Sequence, residues 1–314
     1  MQGVRNLNVG LALGRRDGTD PWDVAPICRV GLRGVAEGVV VSIPLTPADM
    51  LVDQERALTR MMRACALVGD VDAVGLGRLC AVVAGRGEAL AERVSVPVTT
   101  GGAATAWALW RNTQAVVARV GGPIAVIGST NAVGNAVAAL LADEGHEVRV
   151  DHPRGARGGV IACAGPDEAA RGAAVVVGAG PTGASLDPGA LRPGAVVVDV
   201  ALPGTVRGRV PRGVRVIAGE AVSLPAAWTR DGWGLIYHLL AGYGPTQVYA
   251  CLVEPLVLAT THRGAPFALG RRVAPAVVQE FGAAAEALGF RPRLAVGWRA
   301  FPVDRLAPPR VLMG

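Results

Sequence analysis

Residues 123–144 read PIAVIGSTNAVGNAVAALLADE, and this stretch decides the fold class. An apolar run at 124–127 leads into a turn at 128–134, and an Ala/Leu-rich segment at 132–144 has the composition of a helix. Such a turn brings backbone N–H groups to a helix start, where the helix dipole favours an anion such as a pyrophosphate. The stretch therefore predicts the strand, phosphate-binding turn and helix of a βαβ unit, with a purely structural turn as the alternative.

The turn departs from the strict G-x-G-x-x-G pattern, because its spacing is G-x-x-N-x-x-G. Asn is the non-glycine residue that best tolerates a left-handed backbone, so we expect Asn131 to replace a glycine. Two residues that follow a later strand, Gly178 and Ala179, complete the predicted cofactor site. The turn residues expected to hold the pyrophosphate are Gly128, Ser129, Thr130, Asn131, Ala132, Val133 and Gly134.

The cofactor choice depends on residues after the second predicted strand. Asp151 ends that strand about 20 residues beyond the turn, where an acid binds the ribose hydroxyls of NAD. Arg154 and Arg157 follow, and guanidinium groups suit the 2′-phosphate of NADP. Together with His152 they favour NADPH, with NADH possible, although each arginine is equally well explained as a solvated loop residue.

Strand, turn and helix then repeat through the middle of the chain. Strands are predicted at 124–127, 147–150, 174–177, 195–200 and 214–217, with helices at 132–144 and 167–171. Val-rich runs without alternation are typical of a parallel sheet covered on both faces. We therefore predict an α/β protein: a Rossmann-like doubly wound parallel sheet at 121–222, an N-terminal α/β substrate domain at 1–120, and C-terminal helices with a basic tail at 223–314.

The flanking segments supply further predicted elements. A strand at 38–43, a helix from Pro47, a strand at 94–98 and a loop at 99–110 that runs into a helix precede the βαβ region. Helices are predicted after it at 235–240, 246–259 and 273–288.

Composition removes several mechanisms, since every one of the 31 Lys+Arg residues is an arginine. Without lysine, the chain cannot supply a Walker-A phosphate loop, a Schiff base, the lysine of pyridoxal phosphate enzymes or a Tyr-x-x-x-Lys dyad. The net charge of +6 is modest and spread out, so nucleic acid is disfavoured as a partner, while an acidic partner remains open.

Two uncharged runs, 120–142 and 232–253, are long enough for a membrane span, but Gly and Pro interrupt both. We predict no transmembrane segment and, because the N-terminus lacks the pattern of a signal peptide, a cytoplasmic protein. The five cysteines form no CxxC or Cys/His cluster, so no metal site and no disulfide framework are expected.

Cys251 is the candidate nucleophile, since it falls in the first turns of a predicted helix, where the pKa of a thiol can be lowered. Glu254 lies three residues further on, and Pro255 removes the N–H that would bond the carbonyl of Cys251. Glu254 and His238 are candidate proton carriers, with structural roles as the alternative for each. The alternative for Cys251 is a small buried hydrophobe.

Ordered motifs over roughly residues 35–293 resemble one known family, the aldehyde-forming long-chain acyl-[acyl-carrier-protein] reductases. The pieces are the 35–55 segment, VDAVGLGRLCAVV, TTGGAATA, GSTNAVG, VVVDVALP, RGVRVIAGE and QVYACLVE. The chain departs from that family at Asn131, Pro255 and Gly204.

The resemblance implies that Cys251 takes an acyl group from a thioester and that NADPH reduces the acyl-enzyme to an aldehyde. An acidic acyl carrier protein or acyl-CoA would be the substrate, which suits a basic surface. The residues implied on the substrate side are Thr99, Thr100, Gly101, Gly102 and Thr105. Two alternatives stay open: an NAD(P)-dependent dehydrogenase of a small alcohol or ketone on the same fold, and a non-catalytic NADP-binding module.

Overall fold

The computed structural model describes residues 4–9, 24–155, 158–180, 185–201, 204–232, 244–296, 299–300 and 306. Contacts divide the chain into two compact units, each assembled from separate segments. The first unit combines Met1–Ala104, Leu224–Arg272 and Glu280–Phe290; the second combines Thr105–Ser223, Val273–Gln279 and Arg291–Gly314. The predicted three-part division at 120 and 222 stays a prediction.

A six-stranded mixed sheet runs through the first unit. Its strands are β1 (Val4–Val9), β2 (Ala25–Leu32), β3 (Ala36–Ser42), β4 (Ala73–Leu76), β5 (Val98–Thr99) and β13 (Trp228–Arg230). The spatial order is β13-β2-β3-β1-β4-β5. Pairing is parallel from β3 through β1 and β4 to β5, and antiparallel between β3, β2 and β13. One further strand of this unit, β14 (Gln247–Tyr249), lies outside the sheet.

Within the described residues, four helices lie wholly in the first unit: α1 (Pro47–Val52), α2 (Gln54–Val68), α3 (Glu88–Ala91) and α7 (Ala250–Thr260). The helix predicted from Pro47 is two helices, because Asp53 ends α1 and its side chain caps α2 by accepting from the N–H of Arg56 at 2.9 Å. Leu58 and Met61 of α2 are buried in the core of this unit. Helix α7 packs on β1, β3 and β4.

An eight-stranded sheet runs through the second unit. Its strands are β6 (Ile124–Ile127), β7 (Val148–Val150), β8 (Ile161–Ala162), β9 (Val175–Gly178), β10 (Val196–Asp199), β11 (Arg215–Ala218), β16 (Ala295–Val296) and β17 (Arg299–Ala300). The spatial order is β17-β16-β11-β10-β9-β6-β7-β8. The six strands from β11 to β8 are parallel, whereas β16 and β17 are antiparallel. Counted along the chain, the parallel strands therefore take the spatial order 3-2-1-4-5-6.

The middle strands of this sheet are buried throughout, as uniform Val-rich runs predict for a parallel sheet covered on both faces. Helices α5 (Ala132–Asp143) and α6 (Pro166–Ala170) belong to the unit, and β12 (Ala221–Ser223) pairs with β15 (Arg291–Pro292) outside the large sheet. Residues of α4 (Gly102–Val120) and α8 (Pro275–Ala287) are shared between the two units.

The α/β class is confirmed, and the strands predicted in 121–222 lie within one or two residues of β6, β7, β9, β10 and β11. The predicted helix 246–259 is wrong at its start. The carbonyl of Thr246 accepts from the N–H of Leu224 at 3.0 Å, so it is not available to a helix, and α7 begins only at Ala250. The predicted strand 94–98 shrinks to Val98–Thr99.

The predicted helix 235–240 lies outside the described residues. In the parts of the chain that the structure describes, no helix has both the length and the apolar character needed to cross a membrane.

Candidate functional site

The predicted phosphate-binding turn forms between β6 and α5, but its backbone differs from the expectation. Gly128 takes the left-handed conformation with a φ of +87°. Asn131 does not: its φ of −90° is extended, and its side chain caps α5 by accepting from the N–H of Gly134 at 2.9 Å. Its amide also donates to the carbonyls of Gly128 (2.5 Å) and Ala179 (2.7 Å). Asn131 is therefore a helix cap and turn clamp rather than a replacement for glycine.

The side chain of Asp151 occupies the hydrogen-bond donors of this turn. Its carboxylate accepts from the N–H of Gly128 at 2.7 Å, the N–H of Ser129 at 3.0 Å and the hydroxyl of Ser129 at 2.5 Å. Two N–H groups that were predicted to meet a pyrophosphate are thus bonded to a carboxylate of the same unit. An anion at this position would have to displace Asp151 against charge repulsion.

The other predicted cofactor residues occupy varied positions. Thr130 is exposed in the turn, and Ala132 and Val133 are half-buried at the start of α5. Arg154 is exposed, and its backbone N–H donates to Nδ1 of His152 at 3.0 Å. Arg157 lies outside the described residues.

At the end of β9, Ala179 donates its N–H to the carbonyl of Ile127 at 2.8 Å. A Cβ at Gly178 would overlap the carboxylate of Asp199. The Asp199 carboxylate in turn accepts from Thr205, through its N–H (2.7 Å) and its hydroxyl (2.9 Å). Hydrogen bonds and close packing within the second unit therefore hold the carboxyl ends of β9 and β10.

Cys251 lies in the first unit, as the second residue of α7. Its side chain is half-buried, and the N-cap residue, Tyr249, gives this helix start no side-chain cap. The positive end of the helix dipole therefore acts on the thiol.

The other four cysteines lie in places that disfavour a thiolate. Burial raises the pKa of Cys28 to about 12, with a further contribution from the charge of Asp231, and burial raises the pKa of Cys80 to about 12. Burial also raises the pKa of Cys65 to about 11. The pKa of Cys163 is raised by burial and by the nearby Glu168. Among the five thiols, only Cys251 lies in the first turn of an α-helix.

A second glycine turn lies directly against Cys251. Gly101 has a φ of +74°, and a Cβ added there would overlap the Cβ of Cys251 and lie 2.7 Å from its Cα. Only glycine satisfies both the backbone conformation and this close approach. The structure thus brings Gly101, one of the predicted substrate-side residues, together with Cys251, although the two are far apart in the sequence.

Glu254, one turn after Cys251, ties this segment to α7. Its side chain is fully buried, its Oε2 accepts from the N–H of Ala104 at 2.7 Å, and its Oε1 lies in short contact with the Thr99 hydroxyl. The Thr99 hydroxyl is also 3.0 Å from the carbonyl oxygen of Ala268. Burial raises the pKa of Glu254 to about 7, and hydrogen bonds led by that of Thr99 oppose the rise.

Sequence reasoning missed two features of the sites: the closure of the glycine turn by Asp151, and the contact between Glu254 and Thr99. Each joins residues distant in the sequence, the second pair by 155 positions, so no local pattern signals it. His238 lies outside the described residues, and Thr105 is half-buried as the first residue of the second unit. The described part of the chain contains no group of three or more His, Cys, Asp or Glu residues that could hold a metal ion.

The known proteins that resemble this chain include an aminotransferase. The chain is 30% identical over 278 residues to the aminotransferase PigE of Serratia sp. (strain ATCC 39006), which covers 81% of this chain and 32% of PigE. The chain thus spans about a third of the length of this relative. No protein-family profile matches the chain.

Among solved structures, a 5,10-methylenetetrahydrofolate dehydrogenase from the silkworm, Bombyx mori, shares 16% identity. The likeness covers 91% of this chain and 88% of that chain, with a TM-score of 0.31.

The relationship to PigE overturns the family and function predicted above. The resemblance to acyl-[acyl-carrier-protein] reductases was wrong, and with it the reduction of an acyl thioester to an aldehyde and the acyl carrier protein or acyl-CoA as substrate. The prediction of NADPH or NADH is also overturned, because the relative is an aminotransferase. The short motifs misled because glycine turns and Val-rich strands report backbone geometry, which proteins of different chemistry share.

Aminotransferase chemistry relies on pyridoxal phosphate held as a Schiff base by a lysine. The chain does not fit this cofactor, since none of its 314 residues is a lysine and all 31 of its Lys+Arg residues are arginines. No other side chain forms that Schiff base. The aminotransferase centre of a PigE-like protein therefore has no counterpart in the residues of this chain.

Proposed function

We propose that the chain is an enzyme whose first unit performs covalent chemistry on a carbonyl compound, with Cys251 as the nucleophile. One observation carries the proposal: Cys251, a half-buried cysteine in the first turn of an 11-residue helix, has its Cα and Cβ packed against the left-handed Gly101. The helix dipole favours the thiolate, which is the reactive form. Gly101 adds no side chain, so its backbone can lie directly against Cys251.

The step needs no cofactor. The thiolate sulfur attacks the carbonyl carbon of an aldehyde, an S–C bond forms, and the π electron pair of the C=O bond moves to oxygen. The proton that leaves the thiol ends on that oxygen, so the product is a neutral hemithioacetal and nothing is oxidised or reduced. The positive end of α7 is placed to stabilise the negative charge that develops on oxygen.

The relationship to PigE supports a carbonyl compound as the substrate class. An aminotransferase moves an amino group between an amine and a carbonyl compound, and PigE is about three times as long as the part that matches this chain. Because this chain has no lysine, we propose that it binds the carbonyl compound in a separate step from the amino transfer.

Protection from alkylation tests the proposal. The chain is treated with iodoacetamide with and without an aliphatic aldehyde, and the alkylation of each cysteine is followed by peptide mass spectrometry. We expect saturable protection of Cys251 and no protection of Cys65, which is also partly exposed and serves as the internal control. The amine of the same chain length controls for simple occupancy, since it forms no hemithioacetal. Equal protection of both thiols, or equal protection by the amine, would contradict the proposal.

For the second unit we propose a Rossmann-like doubly wound sheet. Its six parallel strands in the order 3-2-1-4-5-6 and the glycine turn between β6 and α5 support this assignment. An experimental structure with another strand order, or with left-handed crossovers, would contradict it.

A further inference from the structure

The hydroxyl of Thr99 has more acceptors than protons. It is in short contact with Oε1 of Glu254 and lies 3.0 Å from the carbonyl oxygen of Ala268. A threonine hydroxyl carries one proton, so it cannot donate to both oxygens at once. If Glu254 were ionised, Thr99 could donate its proton either to Glu254 or to Ala268. The other contact would then bring two oxygen atoms together with no hydrogen between them.

We propose that Glu254 is held as a neutral carboxylic acid that donates its proton to the Thr99 hydroxyl, and that it is the positioning residue of the Cys251 site. In this arrangement the O–H of Glu254 at Oε1 donates a hydrogen bond to the Thr99 oxygen. The Thr99 O–H then donates a hydrogen bond to the carbonyl of Ala268. Oε2 of Glu254 remains an acceptor for the N–H of Ala104 at 2.7 Å.

The neighbouring backbone N–H groups also donate to the Thr99 and Ala268 oxygens. The two lone pairs of the Thr99 oxygen accept from Glu254 and from the N–H of Gly101 at 3.4 Å. The Ala268 carbonyl also accepts from the N–H of Thr100 at 2.9 Å. The Thr99 oxygen then donates once and accepts twice, which is the full capacity of a hydroxyl group.

Burial and charge agree with a neutral acid. Glu254 is 0% exposed, and its pKa is raised to about 7 by desolvation, with no charged side chain among the causes. On the strands that pack against α7, β4 and β5 have no titratable residue. The titratable or charged residues on α7 itself and on the other elements packed against it are Cys251, Tyr249 of β14, Glu37 of β3 and Arg5 of β1.

A neutral acid has two consequences for the site. It fixes the 99–104 segment to α7, which keeps Gly101 against Cys251. It also keeps a negative charge away from the thiol, since a carboxylate one turn along the helix would raise the pKa of the thiol. This second consequence rests on the proposed function, whereas the protonation state does not.

Infrared difference spectroscopy on the full chain tests the proposal. The carbonyl stretch of a protonated acid lies well above the carboxylate bands, and the spectrum of wild type minus Glu254→Gln isolates this one group. We expect the acid band below pH 7 and its loss as the pH rises through about 7. Cys251→Ala should keep the band, which separates this test from that of the proposed function.

Two threonine variants probe the donation itself. Thr99→Val removes the acceptor of the proton, so the acid band should shift to higher frequency or disappear. Thr100→Val is the matched control, because its hydroxyl lies 3.4 Å from the Ala268 carbonyl and has no contact with Glu254 among the described hydrogen bonds. If a variant fails to fold, the wild-type spectrum below pH 7 minus the wild-type spectrum above pH 7 still tests the proposal, because it shows only acids that lose their proton in that range. Absence of an acid band below pH 7, or equal shifts in both threonine variants, would overturn the proposal.

Discussion

Two glycine turns in this chain are built alike and differ in what closes them. In the second unit, the N–H groups of Gly128 and Ser129 are bonded to the half-buried carboxylate of Asp151. In the first unit, the turn at Gly101 is held by the fully buried Glu254 through Thr99 and Ala104. Each turn is therefore closed by an acidic side chain of its own unit.

The two turns differ in how deeply the acidic side chain is buried, since Asp151 is half-buried and Glu254 is fully buried. Asp151 accepts three hydrogen bonds from Gly128 and Ser129. Glu254 sits where desolvation favours the neutral acid and where the Thr99 oxygen is placed to accept its proton. The turn closed by the neutral acid is the one that lies against a candidate nucleophile, Cys251.

The largest effect is expected from Gly101→Ala. The new methyl group would overlap Cys251 on a backbone with φ of +74°, so we expect a loss of about 4 kcal/mol in the free energy of unfolding. Gly34→Ala is the matched control, because its φ is +72° with nothing within 4 Å, and it should lose only about 1 kcal/mol. Urea denaturation measures both, and equal losses would show that Cys251 does not confine the turn.

The pH dependence of stability should report the protonation of Glu254. The pKa of Glu254 is raised from 4.5 to about 7 in the folded state, so the folded protein holds a proton that the unfolded chain releases between these values. This contribution is complete below the unfolded pKa and is lost as the pH rises through about 7, with a total of about 3 kcal/mol. Glu254→Gln should remove this dependence on pH. Urea denaturation of wild type and variant at a series of pH values measures the difference in their free energies of unfolding. An unchanged dependence on pH would contradict the neutral acid.

Asp151→Ala should cost about 2 kcal/mol, since it leaves the N–H groups of the Gly128 turn without their acceptor. Asp151→Asn keeps one acceptor oxygen and should cost about half as much. Asp143→Ala, an exposed change at the end of α5, should stay within about 0.5 kcal/mol. Thermal melts compare the three, and a neutral result for Asp151→Ala would mean that water replaces its carboxylate.

The smallest effect concerns the cap of the same turn. Asn131→Ala removes the acceptor of the Gly134 N–H and should lower stability by about 1 kcal/mol. Asn131→Gly should bring no gain, because the φ of Asn131 is −90° and not left-handed. Guanidinium titration measures both variants. A stabilising Asn131→Gly would support the expectation that Asn131 takes the place of a left-handed glycine.

Local patterns predicted much of the fold. The strand at 124–127, the helix that follows it and the Val-rich strands depend on residues adjacent in sequence, and the structure has them within one or two residues of the predicted bounds. The start of α7 at Ala250 could not be predicted this way, since Leu224 takes the carbonyl of Thr246. Tertiary hydrogen bonds decide such boundaries.

The site was predicted only as a set of separate residues. Cys251, Glu254 and Gly101 were each singled out, but nothing local shows that 99–104 meets α7 or that the Thr99 hydroxyl joins them. The same limit applies to the predicted cofactor site, because the side chain that closes the glycine turn, Asp151, lies 23 residues away from Gly128 in the sequence.

The central claim is that Cys251 adds to a carbonyl carbon, and carbon NMR tests it most directly. An aliphatic aldehyde labelled with ¹³C at the carbonyl is added to the wild-type chain and to Cys251→Ala. We predict a new tetrahedral-carbon resonance with wild type, distinct from the free hydrate and absent from Cys251→Ala. The same resonance in both proteins, or none in either, would contradict the account.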